Sequence, residues 1–239
     1  TIEFWLKKPA FDVGNNTEKE VIFDLWNGEN SSSADYGRLR VELTGASTGS
    51  PFLVTAMSGT SGFYQQSIGT SLTTSSLEDW GHYAFTFLSG ASNIPTSLYV
   101  NGDLNQKTEL GSTSINEVTG ALRAYIGALI ESPSGSSGVP AGAGKLSASL
   151  DEYRYWKTKR TSEEIGRNWF TNIYGGTNTD KQKYSDRHPV DLGVYFKFNE
   201  GITGVTATDS VVLDYSGRVS NGNWTGYNTN SRNVGSAIV

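Results

Sequence analysis

KLSASLDEYRYW, residues 145–156, is the stretch on which the fold prediction rests. It is rich in aromatic and branched residues, and Leu146, Ala148 and Leu150 alternate with small polar neighbours. Glycine precedes the run and charged residues follow it, which indicates where the predicted strand begins and ends. The stretch predicts a strand in a chain whose other regular segments also read as strands.

A short helix is predicted directly after this strand, announced by the letters TSEEI. Thr161 suits the N-cap, because Glu164 stands three residues later and its carboxylate can accept a hydrogen bond from the amide of the cap. Ile165, Trp169 and Ile173 follow at i, i+4 and i+8 and form one apolar stripe. A strand followed by one small helix is the most specific local pattern of the sequence.

Alternation with a period of two recurs along the chain and predicts roughly a dozen short strands. The clearest segments are IEFWLKK (2–8), VIFDLWNG (21–28), RLRVEL (38–43), PFLVTAM (51–57), FYQQSI (63–68), WGHYAFTFL (80–88), SLYVNGDLNQ (97–106), LRAYIGALI (122–130) and LGVYFKFNEG (192–201). Asn101-Gly102 predicts a type I′ hairpin turn, in which both central residues take positive φ. Short strands with close turn signals predict an all-β antiparallel sandwich, since a parallel sheet would need many more helices.

The same alternation predicts which side chains face water. Arg38, Arg40 and Glu42 are expected on a solvated face of their strand, opposite its leucines and valine, and His82 is expected at a solvated strand position. Four tryptophans are assigned to the core or to helix docking: Trp5, Trp80, Trp156 and Trp169.

The composition argues against several function classes. The 239-residue chain has a formal net charge of −5 and a pI near 5.1, whereas binding of nucleic acid needs clustered Lys and Arg. No apolar run of about 18 residues occurs, so membrane insertion is not predicted. Cysteine is absent, which removes disulfides, thiolate nucleophiles and cysteine metal sites. With only two histidines, a zinc site would need both of them together with carboxylates.

The candidate catalytic motifs of the sequence do not predict an enzyme. The EKE segment 18–20 has the i, i+2 carboxylates that a glycosidase could use, but its polar neighbours indicate a solvated strand edge. Asp151 and Glu152 are adjacent, so a flat strand would send them to opposite faces, and only a bulge could make them a pair. Ser, Asp and His within residues 185–188 share one polar loop, whereas the members of a catalytic triad are dispersed.

Several segments, in chain order, resemble the concanavalin A-like lectin/glucanase superfamily, and in particular its laminin G-like (pentraxin-like) domains. They are TIEFWLKK, DWGHYAFTF, SLYVNGDL, AYIGAL, KLSASLDEYRYW with TSEEI, and YFKFNEG followed by DYSG. The resemblance implies a two-sheet jelly-roll sandwich with one short helix after the DEYRYW strand, forming a single domain over residues 1–239. The chain opens inside a strand pattern without Met, as expected for a fragment of a longer protein, and its ending resembles connecting sequence in phage and bacterial surface proteins.

The resemblance also implies a cofactor. Laminin G-like sandwiches often hold calcium through carboxylate and carbonyl oxygens, which makes Asp151 and Glu152 the expected metal residues. The alternative is that one of them binds Arg154, Arg160 or the backbone near the helix and joins the strand to the helix.

Five aromatic residues lie beside turn residues and are the candidates for stacking against sugar rings: Trp26, Tyr36, Tyr64, Trp224 and Tyr227. The alternative for each is a partly buried aromatic at the rim of the sandwich.

Three hypotheses of function follow. The first is a non-catalytic recognition or adhesion module that binds a glycan or cell-surface ligand, within a larger extracellular or phage virion protein. The second is a purely structural virion or surface domain, whose partners are other domains or subunits of the parent protein. The third is an accessory or degenerate glycoside hydrolase domain. All three place the chain outside the cell or at a virion surface.

Overall fold

The computed structural model describes residues 1–9, 11, 19–45, 49–130, 144–173, 191–233 and 235–238. Its strands are β1 (Ile2–Lys7), β2 (Lys19–Trp26), β3 (Gly37–Thr44), β4 (Phe52–Ser58), β5 (Ser61–Ile68), β6 (Gly81–Phe87), β7 (Ile94–Val100), β8 (Asp103–Leu110), β9 (Arg123–Ile126), β10 (Ser149–Trp156), β11 (Leu192–Phe196), β12 (Val211–Val212) and β13 (Gly222–Asn223). Helix α1 spans Ser162–Asn168, helix α2 spans Thr206–Asp209, and a 3₁₀ helix spans Thr74–Leu77. Neither α-helix of the described chain has the length and apolar character needed to span a membrane.

Two large antiparallel sheets form the structure. One has six strands in the order β11-β10-β1-β6-β7-β8, the other has five in the order β5-β4-β3-β2-β9, and β12 pairs with β13. The prediction of an all-β, two-sheet antiparallel jelly-roll sandwich with a short helix after β10 is confirmed. Helix α2, a single turn near the C-terminal end, was not predicted.

The hydrophobic core lies between the inner faces of the two sheets. Phe52 of β4 has its ring centroid 5.1 Å from those of both Tyr83 and Phe85 on β6, so the five-stranded sheet contacts the six-stranded sheet directly. Phe4 of β1 stacks on Phe85 at 5.9 Å. These rings are almost completely buried. Inward-facing residues alternate with outward-facing ones, as the period-two pattern predicts.

The hairpin between β7 and β8 has the predicted turn. Asn101 has φ 49° and Gly102 has φ 85°, which are the positive values that a type I′ turn requires. The Asn101 side chain also accepts a hydrogen bond from the His82 amide at 2.8 Å, so the turn is attached to β6. Trp169, at the end of α1, packs against Gly102 so closely that a Cβ there would lie 2.3 Å from Cδ1 of the indole.

The predicted capping box of α1 is confirmed. The Thr161 hydroxyl accepts a hydrogen bond from the Glu164 amide at 3.2 Å, and the Glu164 carboxylate accepts one from the Thr161 amide at 2.7 Å. Ile165 is fully buried against Ala84 and Tyr99 on the outer face of the six-stranded sheet. Helix α1 therefore covers a face that strand alternation alone marks as solvated.

Several predictions of exposure are wrong, because side chains on the outer faces of both sheets are buried. His82 is completely buried, because Trp169 covers it with ring centroids 6.2 Å apart. On the five-stranded sheet the charged side chains of β3, Arg38, Arg40 and Glu42, are each only 3% exposed. The segment after β9 contributes to this burial, since the Ile130 amide donates to the Asp24 carboxylate on that outer face at 3.1 Å.

Of the four tryptophans assigned to the core or to helix docking, Trp5 and Trp156 are buried and Trp169 caps α1, but Trp80 is 39% exposed. Trp80 precedes the first residue of β6 and so is not held within the ladder of the sheet. Glu18 and residues 185–188 lie outside the described residues, so their predicted roles stay predictions.

Substitution of Gly102 by Ala is expected to destabilise the fold more than substitution of Gly28 by Ala. Both glycines have φ near +86°, but an added Cβ meets nothing within 4 Å at Gly28 and overlaps Trp169 at Gly102. The left-handed conformation should cost each variant about 1–2 kcal/mol, and overpacking should cost Gly102→Ala about 1–3 kcal/mol more. Urea unfolding of the two variants measures the difference, and equal losses would contradict the packing described for Trp169.

Candidate functional site

Two of the five aromatic candidates lie in the interior. Trp26 is 6% exposed and Tyr36 is 3% exposed, and together with Ile130 they form a small buried cluster against which Met57 packs. The Trp26 indole donates a hydrogen bond to the carbonyl oxygen of Glu29 at 2.8 Å. Neither ring presents a free face to solvent, because both are almost completely buried, so the expected exposure of these two turn-adjacent aromatics is not found.

Trp224 and Tyr227 are brought together near the C-terminal end. Their ring centroids are 5.9 Å apart at an interplanar angle of 71°, and the guanidinium carbon of Arg232 lies 5.8 Å from each of them. Arg232 is buried and its Nη2 lies 3.7 Å from Glu200. Both rings are partly exposed. We call Trp224, Tyr227 and Arg232 the C-terminal cluster. Its charged group is buried, so a ligand would find two partly exposed aromatic rings there but few accessible polar groups.

Tyr64 is the candidate with an exposed ring and polar partners. It lies on β5, on the outer face of the five-stranded sheet, and is 51% exposed. The guanidinium carbon of Arg40 lies 5.5 Å from its ring centroid, which is cation–π geometry. Nε of Arg40 lies 2.8 Å from a Glu42 carboxylate oxygen, and both side chains are buried. A fixed ion pair therefore supports one side of the Tyr64 ring while the rest of the ring faces solvent.

Gln65 extends these contacts along the sheet. It is a non-glycine residue with φ 47°, at a point where the register between β4 and β5 shifts, and its amide donates to the Thr55 hydroxyl at 3.0 Å. Its side chain accepts a hydrogen bond from the Lys19 ammonium at 2.5 Å and donates one to Glu42 at 3.3 Å. Bulges of this kind redirect side chains and are frequent at functional sites.

These contacts form one continuous chain of side chains on three strands. In order of contact its members are Tyr64, Arg40, Glu42, Gln65 and Lys19. We call these five residues the Tyr64 site. Each member contacts the next at the distances given above. The polar groups are thus fixed by one another before any ligand arrives, which lowers the entropic cost of binding.

The register of the sheet separates this site from the other exposed tyrosine on the same face. Tyr125 of β9 pairs with Asp24, Asp24 pairs with Arg40, and Arg40 pairs with Thr55 next to β5. At about 4.8 Å per strand, Tyr125 lies roughly 19 Å from Tyr64. It is 45% exposed, which makes it a matched control for Tyr64.

Sequence reasoning found Tyr64 but missed its partners. Arg40 and Glu42 were expected to face water, and Lys19 and Gln65 were not singled out as site residues. The sequence showed only a tyrosine followed by a glutamine, at positions 64 and 65, and two other strand segments in which charged and apolar residues alternate. Which charges meet depends on the register between β2, β3 and β5, and a bulge changes that register without a mark in the sequence.

A bulge also changes the arrangement of Asp151 and Glu152. Glu152 has φ 51°, and the pairing of β10 with β1 shifts register beside it. Asp151 accepts hydrogen bonds from the amides of Glu152 at 2.9 Å and Ala237 at 2.6 Å. One oxygen of Glu152 accepts from Arg154 at 3.1 Å and from the Tyr195 hydroxyl. The alternative prediction was that one of the two residues binds Arg154, Arg160 or the backbone near the helix, and the structure contains the contact of Glu152 with Arg154.

The pair does not fit a calcium ion. Both oxygens of Asp151 and one of Glu152 already accept hydrogen bonds, and the Arg154 guanidinium beside Glu152 would repel a cation. Within the described ranges, no cluster of three or more Asp, Glu or His side chains is placed to hold a metal. Calcium binding stays a prediction from the family resemblance.

A buried polar layer lies between the six-stranded sheet and α1. Its centre is Glu3 of β1, which lies 2.8 Å from Arg160, 3.6 Å from Arg154 and 3.8 Å from His82. Burial alone would raise the pKa of Glu3, but Arg160, His82 and Arg154 together hold that pKa well below its usual range. Burial lowers the pKa of His82. This layer is closed to solvent and joins the sheet to the helix.

Residues 1–166 match the profile of a family described as the concanavalin A-like lectin/glucanases superfamily. The chain belongs to this superfamily. No curated protein sequence matches it.

Among solved structures, it is similar to a "putative carbohydrate binding protein" from Bacteroides ovatus, with 18% identity, a TM-score of 0.50, and coverage of 93% of this chain and 50% of that one. It is also similar to a native heptameric SAP-like pentraxin from Limulus polyphemus, with 14% identity, a TM-score of 0.45, and coverage of 69% of this chain and 66% of that one. At these identities the likeness shows the fold alone. The chain spans half the length of the Bacteroides ovatus protein.

Addition of calcium is expected to leave the melting temperature unchanged, because the carboxylates of Asp151 and Glu152 already accept hydrogen bonds from protein donors. Calorimetry of a chelator-treated sample with and without excess calcium measures this. A rise of several degrees that disappears in Asp151→Asn would show that the pair binds the metal after all.

Replacement of Asp151 by Asn is expected to change how stability depends on pH. Burial raises the pKa of Asp151 from 3.8 to about 6. Because the folded pKa lies above the unfolded one, the stability linked to this group is present below pH 4 and is lost as the pH rises through 6. The free energy of unfolding of Asp151→Asn relative to the unchanged protein should therefore increase between pH 4 and pH 7.

Urea titrations at several pH values measure that difference, with Asp103→Asn on the exposed start of β8 as the control. A constant difference across this pH range would contradict the assignment.

Proposed function

We propose that this chain is a non-catalytic recognition module that binds glycans through the Tyr64 site. The observation that carries the proposal is the half-exposed Tyr64 ring fixed over the buried Arg40–Glu42 pair. The C–H face of a sugar ring can pack on such an aromatic face. The hydroxyls at the edge of the sugar can exchange hydrogen bonds with a side-chain amide and an ammonium group, which Gln65 and Lys19 supply.

The chemistry of the Tyr64 site favours binding over hydrolysis. A retaining glycosidase needs two carboxyl groups about 5–5.5 Å apart, one of them protonated. Glu42 is the one carboxylate of this site, and it is buried beside Arg40. Glu20, the described member of the EKE segment, is held by Lys8 at 2.8 Å and by the Ser147 amide at 2.7 Å. Neither carboxylate is free to act as an acid or a nucleophile.

The comparisons support the proposal at a coarse level. The superfamily includes lectins by its own description, and the Bacteroides ovatus structure is described as that of a putative carbohydrate-binding protein. A structural similarity at 18% sequence identity shows that the two proteins share a fold, but it does not show that they bind the same ligand. The binding proposal therefore depends on the geometry of the Tyr64 site.

We further propose that the module works as an adhesion domain within a larger extracellular or virion protein. A surface rich in Ser, Thr and Asn with few charges suits such a setting. The other domains or subunits of that protein would be its structural partners. A purely architectural domain is the competing function, and the binding experiment below separates the two.

Replacement of Tyr64 by Ala is expected to lower glycan affinity about tenfold or more, since truncation of an aromatic residue that dominates binding typically costs about 2 kcal/mol or more. Tyr64→Phe should keep most of the affinity because it keeps the ring. Tyr125→Ala removes a similarly exposed tyrosine from the same face and should leave binding unchanged. The measurement is an array of neutral and acidic oligosaccharides, followed by titration of the best ligand with each variant.

Three outcomes would contradict this proposal. If the unchanged protein binds no oligosaccharide on the array, the architectural function is favoured. If Trp224→Ala abolishes binding while Tyr64→Ala does not, the C-terminal cluster is the ligand site. Release of shortened sugars from a bound oligosaccharide would instead reveal a glycoside hydrolase.

A further inference from the structure

Strand β8 (Asp103–Leu110) lies at one end of the six-stranded sheet, where it pairs with β7 alone. Within the described part of the chain, no backbone hydrogen bond is made on the side of β8 that faces away from β7. The strand has eight residues, so it presents a row of amide and carbonyl groups to solvent. Such an edge is a template for pairing with another strand.

The other described sheet edges are partly covered or short. On β11, the Tyr195 amide donates a hydrogen bond to the Asp214 carboxylate at 3.0 Å. On β5, the Gly62 amide donates one to the Thr113 hydroxyl at 2.9 Å. Strand β9 has only four residues. Among the described strands, β8 is therefore the edge that is best able to accept a second strand.

Two opposite charges lie on this edge. Lys107 is paired in register with Ser97 of β7. Ser97 is next to the fully buried Leu98, so Ser97 and Lys107 both face the outer side of the sheet. Glu109, two residues further along β8, faces the same side. Both charged residues are exposed.

These charges match those of a second β8 strand in one antiparallel register. When a twofold axis passes through Thr108, Lys107 of each copy lies directly opposite Glu109 of the other copy. Opposite charges directly across a pair of strands stabilise the pairing, and like charges destabilise it. An axis through Lys107 would oppose two ammonium groups, and an axis through Glu109 would oppose two carboxylates. Charges often protect an edge strand against pairing, but here they disfavour the neighbouring registers and favour this one.

We propose that β8 is the surface through which two copies of this chain form a symmetric dimer. Gln106–Leu110 of the two copies would pair antiparallel around Thr108 and join the two six-stranded sheets into one continuous sheet. A twofold dimer is the commonest form of protein self-association, and it uses the same surface on both subunits. The dimer goes beyond the proposed function and requires no ligand.

The geometry of this dimer has a consequence for the Tyr64 site. Lys107 and Glu109 share one face of the sheet, so the twofold axis is perpendicular to the joined sheet. The two five-stranded sheets then lie on the same side of it, and the two Tyr64 sites face the same way. A glycan-coated surface could bind both sites at once, with a gain in avidity. This consequence rests on the proposed glycan-binding function, whereas the dimer does not.

The test is sedimentation equilibrium over a range of protein concentrations. The mass of the unchanged protein is expected to rise from 25.8 kDa toward twice that value as the concentration increases. Lys107→Glu turns both opposite-charge pairs into pairs of carboxylates, and Glu109→Lys turns them into pairs of ammonium groups. Each variant should lower the association constant about tenfold or more. Lys159→Glu, which reverses an exposed charge after β10, is the control and should leave association unchanged.

A mixing experiment assigns the effect to the contact between copies. In an equal mixture of Lys107→Glu and Glu109→Lys, a strand with two carboxylates meets a strand with two ammonium groups. Mixed dimers should therefore form with about the association constant of the unchanged protein. The double variant that carries both substitutions should also recover association. A variant that had merely lost its fold would not recover on mixing.

The outcomes decide the proposal. A protein that stays monomeric at all concentrations would overturn it. So would a dimer that neither charge variant weakens, single variants that do not recover on mixing, or a mass that exceeds two copies. None of these measurements uses a sugar, so a failure of the dimer leaves the proposed glycan binding untouched.

Discussion

The structure depends on a carboxylate that is buried without access to water, Glu3 on β1. Burying a charge is expensive unless it is paired, and removing one partner of such a group typically costs about 3–5 kcal/mol. Glu3 lies 2.8 Å from Arg160, which follows β10, and 3.6 Å from Arg154 within β10. Arg154 in turn donates to the carbonyl oxygens of Asn168 and Thr171 at 3.3 and 2.7 Å, at the end of α1 and just beyond it. These contacts hold the helix in its observed position, because a shift would separate Arg154 from the two carbonyl oxygens.

Much of the fold could be predicted because its signals are local. The I′ turn at Asn101-Gly102 and the capping box from Thr161 to Glu164 each depend on residues within four positions of one another, and both are present as predicted. Strand alternation also gave the correct inner face of each sheet. Strand alternation could not predict whether the outer face of a sheet is exposed to solvent, because that exposure depends on which other segments pack over the face. His82 and Arg40 lie on outer faces and are buried for that reason.

The candidate site was predictable only at one residue. Tyr64 was among the aromatic candidates, but three of its four partners, Arg40, Glu42 and Lys19, come from strands distant in the chain, and their contacts depend on a bulge at Gln65. The same limit applies to Asp151 and Glu152. On a flat strand they would face opposite ways, and the bulge at Glu152 removes that restriction. Bulges are set by the fit between neighbouring strands, and a single sequence shows no sign of where they fall.

The pairing of β11 with β10 has a consequence for how the protein can be divided. The match to the superfamily ends at residue 166, yet β11 runs from Leu192 to Phe196 and forms the outer edge of the six-stranded sheet beside β10. A chain ended where the similarity ends would leave one side of β10 as an open edge with unpaired backbone groups, and would take the Tyr195 hydroxyl away from Glu152. Open edges recruit strands from other molecules. The end of the family match is therefore not a point at which the polypeptide can be cut, and a protease or cloning boundary placed there would yield a fragment prone to aggregate.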